Sequence, residues 1–499
     1  MSPKRHPSPF YHRLDKPLIK IGGKDRLTLR SATEGTLILG GTGSGKTSGS
    51  GEAIRRAYLR SGMGGLVLCV KADEADSWRI AAKKMGRAKD LLVVDASGKH
   101  RFNFMDYAAA TIASNGFHQN LVVLMQQISE ATMVANSGDS NGENSFFEKA
   151  ALKWLAHTFP LLHAARETIQ LKQVYQMVVS APKSLEDVDS EAWRAKSFCW
   201  KVLRDVALKA EEQKDQYADK IIEEHGHFWL TEYPSLNART RTSVEATLTN
   251  LIHPFLSGKL AELFCTHSTV VPEMAREGKI ILLDLPALTY GPMGAAAQSL
   301  FKYLFGMAMQ RQKVIEKTRP VFVWIDECQY FLSRSDAELL STARSSKISC
   351  VFITQDLPSF YAQLGPKSRD VADSIISKFG TRILHANTCR TTNQYAAEII
   401  GKTTKFNTSK TTNTGRNSGG SLNQNEFSGS AGAGDGRNQG RTDGISTYQD
   451  FVIPPEYFAK ELRTGGPKNK KRVDAILVRN GGVFKRTGAH WLKAEFKQT

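Results

Sequence analysis

The sequence is poor in cysteine, and its cysteines do not pair. The six, Cys69, Cys199, Cys265, Cys328, Cys350 and Cys389, lie far apart with no Cys-x-x-Cys spacing. That excludes a disulfide framework and a thiolate zinc site. Cys69, Cys328 and Cys350 sit within or beside apolar runs, where buried reduced thiols are expected, and the expected compartment is a reducing cytoplasm. No run reaches the roughly 18 apolar residues of a membrane span. The opening MSPKRHPSPFYHRLDKPLIK is basic and interrupted by proline, and it lacks the apolar stretch of a secretory signal. Acidic residues are also short: 49 Asp and Glu face 67 Lys and Arg, a formal net charge of +18. This excess implies a polyanionic partner, either nucleic acid or an anionic membrane surface.

What is present is an ordinary globular composition, 41% hydrophobic and 23% charged over 499 residues. That length allows about two to four domains. The positive charge collects at the two ends. Residues 1–30 carry eight Lys and Arg against two acids, and residues 451–499 carry eleven against four. Lys468, Lys470, Lys471 and Arg472 form the densest cluster, a candidate polyanion contact. Residues 403–446 are rich in Gly, Ser, Thr and Asn and nearly free of aliphatics. Such a segment buries too little apolar surface to offset its ordering entropy, and a flexible loop is predicted.

Six short runs rich in Val, Ile and Leu read as buried parallel strands: TLILG (36–40), GLVLCV (65–70), DLLVVD (90–95), KIILLDL (279–285), VFVWID (321–326) and SCVFIT (349–354). Helical patterns between most of them indicate βαβ units and an α/β fold. Strands are predicted again at VDAILVRN and GGVFKRTG, after the loop. From about residue 111 to 268 strand signals vanish, and patterns such as FFEKAALKWLAHTF and TRTSVEATLTNLIHPFL predict helix after helix. The expected organisation is a first part of the sheet domain with its basic N-terminal segment (1–110) and an all-α insertion (111–268). A second part of the sheet domain (269–402), the loop (403–446) and closing strands (447–499) follow.

The sharpest motif is GGTGSGKT, residues 40–47, which fits G-x-x-x-x-G-K-[ST]. Small residues let the backbone of Gly40, Gly41, Thr42, Gly43, Ser44 and Gly45 curl so that N–H groups converge on phosphate oxygens. The helix that follows adds its positive end. Lys46 reaches the β- and γ-phosphates, and the Thr47 hydroxyl holds Mg²⁺. A strand enters this motif and a helix leaves it, so a nucleotide site is predicted.

Phosphoryl transfer also needs a metal-holding carboxylate and a group that orients water. Asp326, ending an apolar strand, is placed to hold a Mg²⁺-bound water, and Glu327 to act as general base. Asp284 in KIILLDLP lacks a second acid and reads as structural. Gln355 falls just past a strand, where it can sense the γ-phosphate. Arg344 lies in a polar loop before that strand, where in a ring of subunits it can reach a neighbour's nucleotide.

These features in this order resemble the type IV secretion coupling proteins, the TraG/TraD/TrwB-like branch of the FtsK/HerA ring ATPases. The resemblance runs from about residue 35 to 497, apart from the low-complexity loop. It is carried by GTLILGGTGSGKT, GENSFFEKAALKWL, KIILLDLP, VFVWIDECQYF, the ARSSKI and FITQ blocks, NTCRTTNQYAAEIIGKTT and the closing VIPPEYFAKELRTGG and AHWLKAEF. It implies a RecA-like nucleotide-binding domain with an inserted all-α domain, ATP and Mg²⁺ as ligands, and homohexameric rings with nucleotide at subunit interfaces. It also implies partners: single-stranded DNA, relaxase and relaxosome proteins, and the channel of a type IV secretion system. The family's Walker A falls on residues 40–47, its Walker B on Asp326 and Glu327, its glutamine on Gln355 and its proposed finger arginine on Arg344. Typical members carry N-terminal transmembrane helices, and none is read here. That implies cytoplasmic residence with peripheral docking at the inner membrane through a partner, or a less typical lineage. Two other readings share the motifs: a FtsK/HerA-type motor for segregation, packaging or defence, and a substrate receptor in which the helical insertion captures cargo.

Overall fold

The structure, a computed structural model, describes residues 14–113, 122–126, 142–166, 169–364, 369–417 and 436–498. The remainder of the predicted basic N-terminal segment (1–13), parts of the predicted helical insertion (114–121, 127–141, 167–168) and the centre of the predicted loop (418–435) lie outside the described residues. The strands, in chain order, are β1 (Pro17–Gly22), β2 (Asp25–Thr28), β3 (Thr36–Leu39), β4 (Gly64–Leu68), β5 (Leu91–Val94), β6 (Ile280–Leu283) and β7 (Val321–Ile325). After them come β8 (Ile348–Thr354), β9 (Thr381–Leu384), β10 (Lys402–Asn417), β11 (Gly436–Phe451), β12 (Arg472–Arg479) and β13 (Trp491–Lys497).

Each of the six apolar runs becomes one strand, β3 to β8. They join β9, β12 and β13 in a nine-stranded sheet of order β13-β12-β9-β3-β8-β7-β4-β6-β5. Pairing is parallel from β9 through β5 and antiparallel only where β12 meets β9 and β13. Continuous hydrophobicity is required because both faces are covered. Leu37, Leu66, Val323 and Phe352 pack with helix Ala287–Arg311 on one face. Ile38, Val67, Phe322 and Val351 pack with helices Glu52–Ser61 and Ala72–Lys84 on the other. Between β5 and β6 the described residues form helices and no strand, among them Gly142–Ala165, Phe198–Glu212 and Ala238–Ile252. The α/β fold with an all-α insertion is therefore the observed one. No helix among the described residues is long and apolar enough to cross a membrane.

Three local readings need correction or addition. β9 was not among the predicted strands, because TRIL begins with two polar residues. Arg382 is nevertheless buried, its charge met by Asn480 Oδ1 at 2.9 Å and the Ile376 carbonyl at 3.1 Å. The predicted strand GGVFKRTG is instead a connection. Gly481 and Gly488 take φ of 66° and 63°, and the Asp25 carboxylate accepts from the Lys485 and Arg486 N–H groups. The strand itself is β13, WLKAEFK, with alternate residues buried. Finally, much of the predicted loop 403–446 is strand. β10 and β11 pair antiparallel from Lys402↔Phe451 to Asn417↔Gly436. A backbone ladder needs no apolar face, so a composition argument based on burial misses it.

Candidate nucleotide-binding site

β3 lies between β8 and β9, and the chain leaves its carboxyl end directly into residues 40–47. Gly43 and Gly45 take φ of 73° and 83°, which side chains with a Cβ rarely adopt. At Gly45 a Cβ would also stand 2.6 Å from Val473 Cγ2, so β12 presses on the loop from the side. The turn is anchored at its edges: Gly40 N–H donates to Thr354 O at 3.3 Å and Gly41 N–H to Ala386 O at 2.9 Å. Its interior is left open, since the N–H groups of Gly43, Gly45 and Lys46 have no backbone acceptor among the described residues. The Ser44 hydroxyl is buried with no partner. Backbone donors without backbone acceptors, beside a buried unpartnered hydroxyl, suit an anion, and a phosphate chain is the anion this motif takes. Behind the loop, buried His385 joins it to β12: Nε2 contacts Ser50 Oγ at 2.7 Å and Nδ1 contacts Asp474 O at 3.1 Å. Burial pushes His385 down to about 4.

β8 and β7 follow β3 in the sheet, so residues from their carboxyl ends meet the same loop. Asp326 and Glu327 end β7 and are buried. Thr47 Oγ1 donates to Asp326 Oδ2 at 2.8 Å, which brings together the two residues read as Mg²⁺-holding. Burial raises the Asp326 carboxyl, against the Thr47 hydrogen bond. Glu327 sits in the left-handed region, φ 51° and ψ 53°, a conformation costing about 1–3 kcal/mol in a non-glycine residue. It is the hub of the site. Its Oε1 lies 3.6 Å from Lys46 Nζ, 3.5 Å from Lys71 Nζ and 3.2 Å from Gln355 Nε2, and its Oε2 accepts from Gln329 Nε2 at 3.0 Å. Burial pushes Glu327 up, but the Gln329 hydrogen bond, Lys46, Gln355 and Lys71 outweigh it, and the net displacement is downward.

Gln355 closes the circle, since its Oε1 accepts from Thr42 Oγ1 at 3.2 Å. Thr42, Lys46, Thr47, Asp326, Glu327 and Gln355 thus form one connected cluster. Arg344 is not part of it. It is exposed, 3.8 Å from Glu34, and precedes the amino end of β8. Gln355 follows the far end of that seven-residue strand, about 20 Å away at roughly 3.3 Å per residue. Asp284 accepts from Arg79 Nη2 at 2.7 Å, a structural ion pair.

Sequence reading missed three residues. Gln329 lay within VFVWIDECQYF, two positions past Glu327, and is held by Thr354 Oγ1 at 2.8 Å. Lys71 and Glu74 follow β4, beside β7, and only the strand order reveals them. Glu74 accepts from Val70 N–H at 2.9 Å through one oxygen, while its other is buried and unpartnered. Burial and the Asp326 charge push it up to about 8.

Comparisons with known proteins bear on the fold. Residues 320–433 match the family model described as the TraM recognition site of TraD and TraG. No curated protein sequence matches the chain. Among solved structures, the trigonal form of the bacterial conjugative coupling protein TrwBdeltaN70 with sulphate is similar at TM-score 0.56 and 12% identity, covering 98% of this chain and 90% of that one. TrwB with a non-hydrolysable ATP analogue is similar at TM-score 0.53 and 12% identity, covering 98% and 91%. TrwB with ADP and Mg²⁺ is similar at 0.52 and 13%, covering 98% and 90%. Over nearly its whole length the chain has the fold of these coupling-protein structures, a sheet domain with a helical insertion, and residues 320–433 are similar to the TraM recognition site of TraD and TraG.

Proposed function

We propose that the chain is an ATP-hydrolysing coupling protein that recruits relaxase-bound DNA, or a protein effector, and drives its transfer through a type IV secretion channel. One observation carries the reading: Lys46, Thr47, Asp326, Glu327 and Gln355, scattered over 310 positions, converge on one phosphate cradle. The TrwB-like fold and the TraD and TraG segment support the conjugative assignment.

The roles follow from the contacts. Residues 40–45 bind the phosphates through backbone N–H groups, and Lys46 turns from Glu327 to the β- and γ-phosphates. Thr47 and Asp326 hold Mg²⁺, which neutralises phosphate charge when bound. Glu327, released by Lys46 and still beside Lys71, accepts a proton from the attacking water. Gln355 spans Thr42 and Glu327 and orients that water against the γ-phosphate. Arg344 is too distant to serve its own subunit's nucleotide, and acts across a ring interface on the neighbour's. The ring is a homohexamer and the DNA single-stranded. The sheet parts 1–110, 269–402 and 447–499 form the motor, and the insertion 111–268 is a separate domain. Residues 320–433 provide the relaxosome docking segment, and a partner holds the protein at the inner membrane.

Plasmid transfer tests this reading. A donor carrying only the Lys46→Ala or Glu327→Gln form is expected to lose transfer by several orders of magnitude at unchanged protein level. Undiminished transfer would contradict it.

A further inference from the structure

The basic cluster after Arg463 plays no part in the nucleotide chemistry, yet it stands against the phosphate cradle. Lys468, Lys470, Lys471 and Arg472 are all exposed. Among the described residues only Arg472 has an acidic partner, Glu495 at 2.9 Å. Lys497, exposed and opposite Arg472 in the β12–β13 register, extends the cluster.

The loop is held by its own backbone hydrogen bonds. Lys471 N–H donates to Gly466 O at 2.8 Å, Lys470 N–H to Pro467 O at 3.0 Å and Asn469 N–H to Gly466 O at 3.2 Å. Lys470 and Lys471 hold consecutive φ values of 53° and 55°. Each costs about 1–2 kcal/mol relative to the right-handed form, a cost glycine would avoid. The strain therefore places two cationic side chains rather than merely turning the chain.

The same loop is tied to the nucleotide site through one side chain. Gln498 N–H donates to Lys471 O at 2.7 Å, and Gln498 Oε1 accepts from Gly466 N–H at 2.8 Å. Its Nε2 donates to Ser48 Oγ at 2.8 Å, one residue past Thr47. Val473, next in β12, abuts Gly45.

We propose that Lys468, Lys470, Lys471 and Arg472 grip the phosphate backbone of a nucleic acid and that Gln498 relays this contact to the Walker A loop. Charge complementarity selects the occupant: three lysines without an acidic partner among the described residues, beside the Glu495-paired Arg472, match a row of backbone phosphates, independent of sequence. No large apolar side chain is exposed between residues 453 and 482, so the cluster offers no apolar anchor of its own and any hold on a membrane would be by charge alone. The relay half of the proposal rests on the nucleotide-site reading above; the backbone contact does not.

The test uses the full chain. Binding of labelled DNA of about 40 nucleotides, single-stranded and duplex, is measured by anisotropy between about 50 and 200 mM salt. In the triple variant Lys468→Ala, Lys470→Ala, Lys471→Ala, the slope of log K against log salt on single strands is expected to fall by about 2, at about 0.7 per lost contact. Affinity for a fluorescent ADP analogue should stay within twofold. Gln498→Ala should bind DNA like the parent and lose more than half of the DNA stimulation of ATPase. An unchanged slope overturns the contact. Lost ADP-analogue affinity with intact DNA binding assigns the lysines to nucleotide, and lost capture by anionic vesicles with intact DNA binding assigns them to a membrane; either overturns it. Full stimulation in Gln498→Ala overturns the relay. If the parent shows no ATPase under any condition while the slope falls, the contact stands and the motor reading fails.

Discussion

Gly45→Ala probes how the closing strands shape the phosphate cradle. The new Cβ would sit at φ 83°, a conformation that costs a non-glycine residue about 1–2 kcal/mol. It would also stand 2.6 Å and 2.9 Å from the two methyl groups of Val473, an overlap worth about 1–3 kcal/mol as overpacking. The expected cost is therefore about 2–5 kcal/mol of unfolding free energy. Only the second part depends on Val473. Val473→Ala removes both methyls, so in that background Gly45→Ala should cost only the conformational part. The double-mutant cycle should return a coupling of about 1–3 kcal/mol. Urea unfolding without nucleotide measures all four proteins. Equal cost in both backgrounds would refute the packing of β12 on the loop.

Further outcomes follow from the same contacts. Glu327→Gln should bind nucleotide at near-parental affinity while kcat falls by about 10²–10⁴, as for loss of a general base; single-turnover hydrolysis checks it. Asp326→Asn should weaken ADP binding in Mg²⁺ and leave binding in EDTA unchanged, because Asp326 acts on nucleotide through the metal; calorimetry with and without EDTA separates the two. His385 has a folded value near 4 against an unfolded 6.5, so the unfolded chain binds the extra proton. Its stability contribution is complete above about pH 6.5 and is lost as pH falls towards 4, about 3 kcal/mol at most. Urea unfolding at pH 5 and pH 7.5 should therefore diverge in the parent and converge in His385→Asn. Arg344→Ala should lower turnover, and mixing it with Lys46→Ala subunits should restore part of it; no restoration would contradict a role in trans.

The central sheet was legible because β3 to β8 are buried on both faces and so are written as uninterrupted apolar runs. β9 was not, since Thr381 and Arg382 are polar, and the burial of Arg382 depends on Asn480, nearly 100 positions on. The β10–β11 ribbon was hidden for the opposite reason: its pairing is carried by backbone, which composition does not encode. In the site, Lys46, Thr47, Asp326 and Glu327 were visible because phosphate chemistry demands those residue types at strand ends. Lys71 and Glu74 were not, because nothing local to VKADEAD says that β4 lies beside β7. Gln498 was equally invisible, being placed on Ser48 by β13, 450 positions later.

The proposed function requires that one phosphate site power movement of DNA. Steady-state ATPase of the parent and of Glu327→Gln, with and without single-stranded DNA at about 50 and 200 mM salt, tests it most directly. Strong DNA stimulation that fades at the higher salt and is absent from Glu327→Gln is expected. Turnover that ignores DNA at both salt concentrations, or that survives in Glu327→Gln, would contradict it.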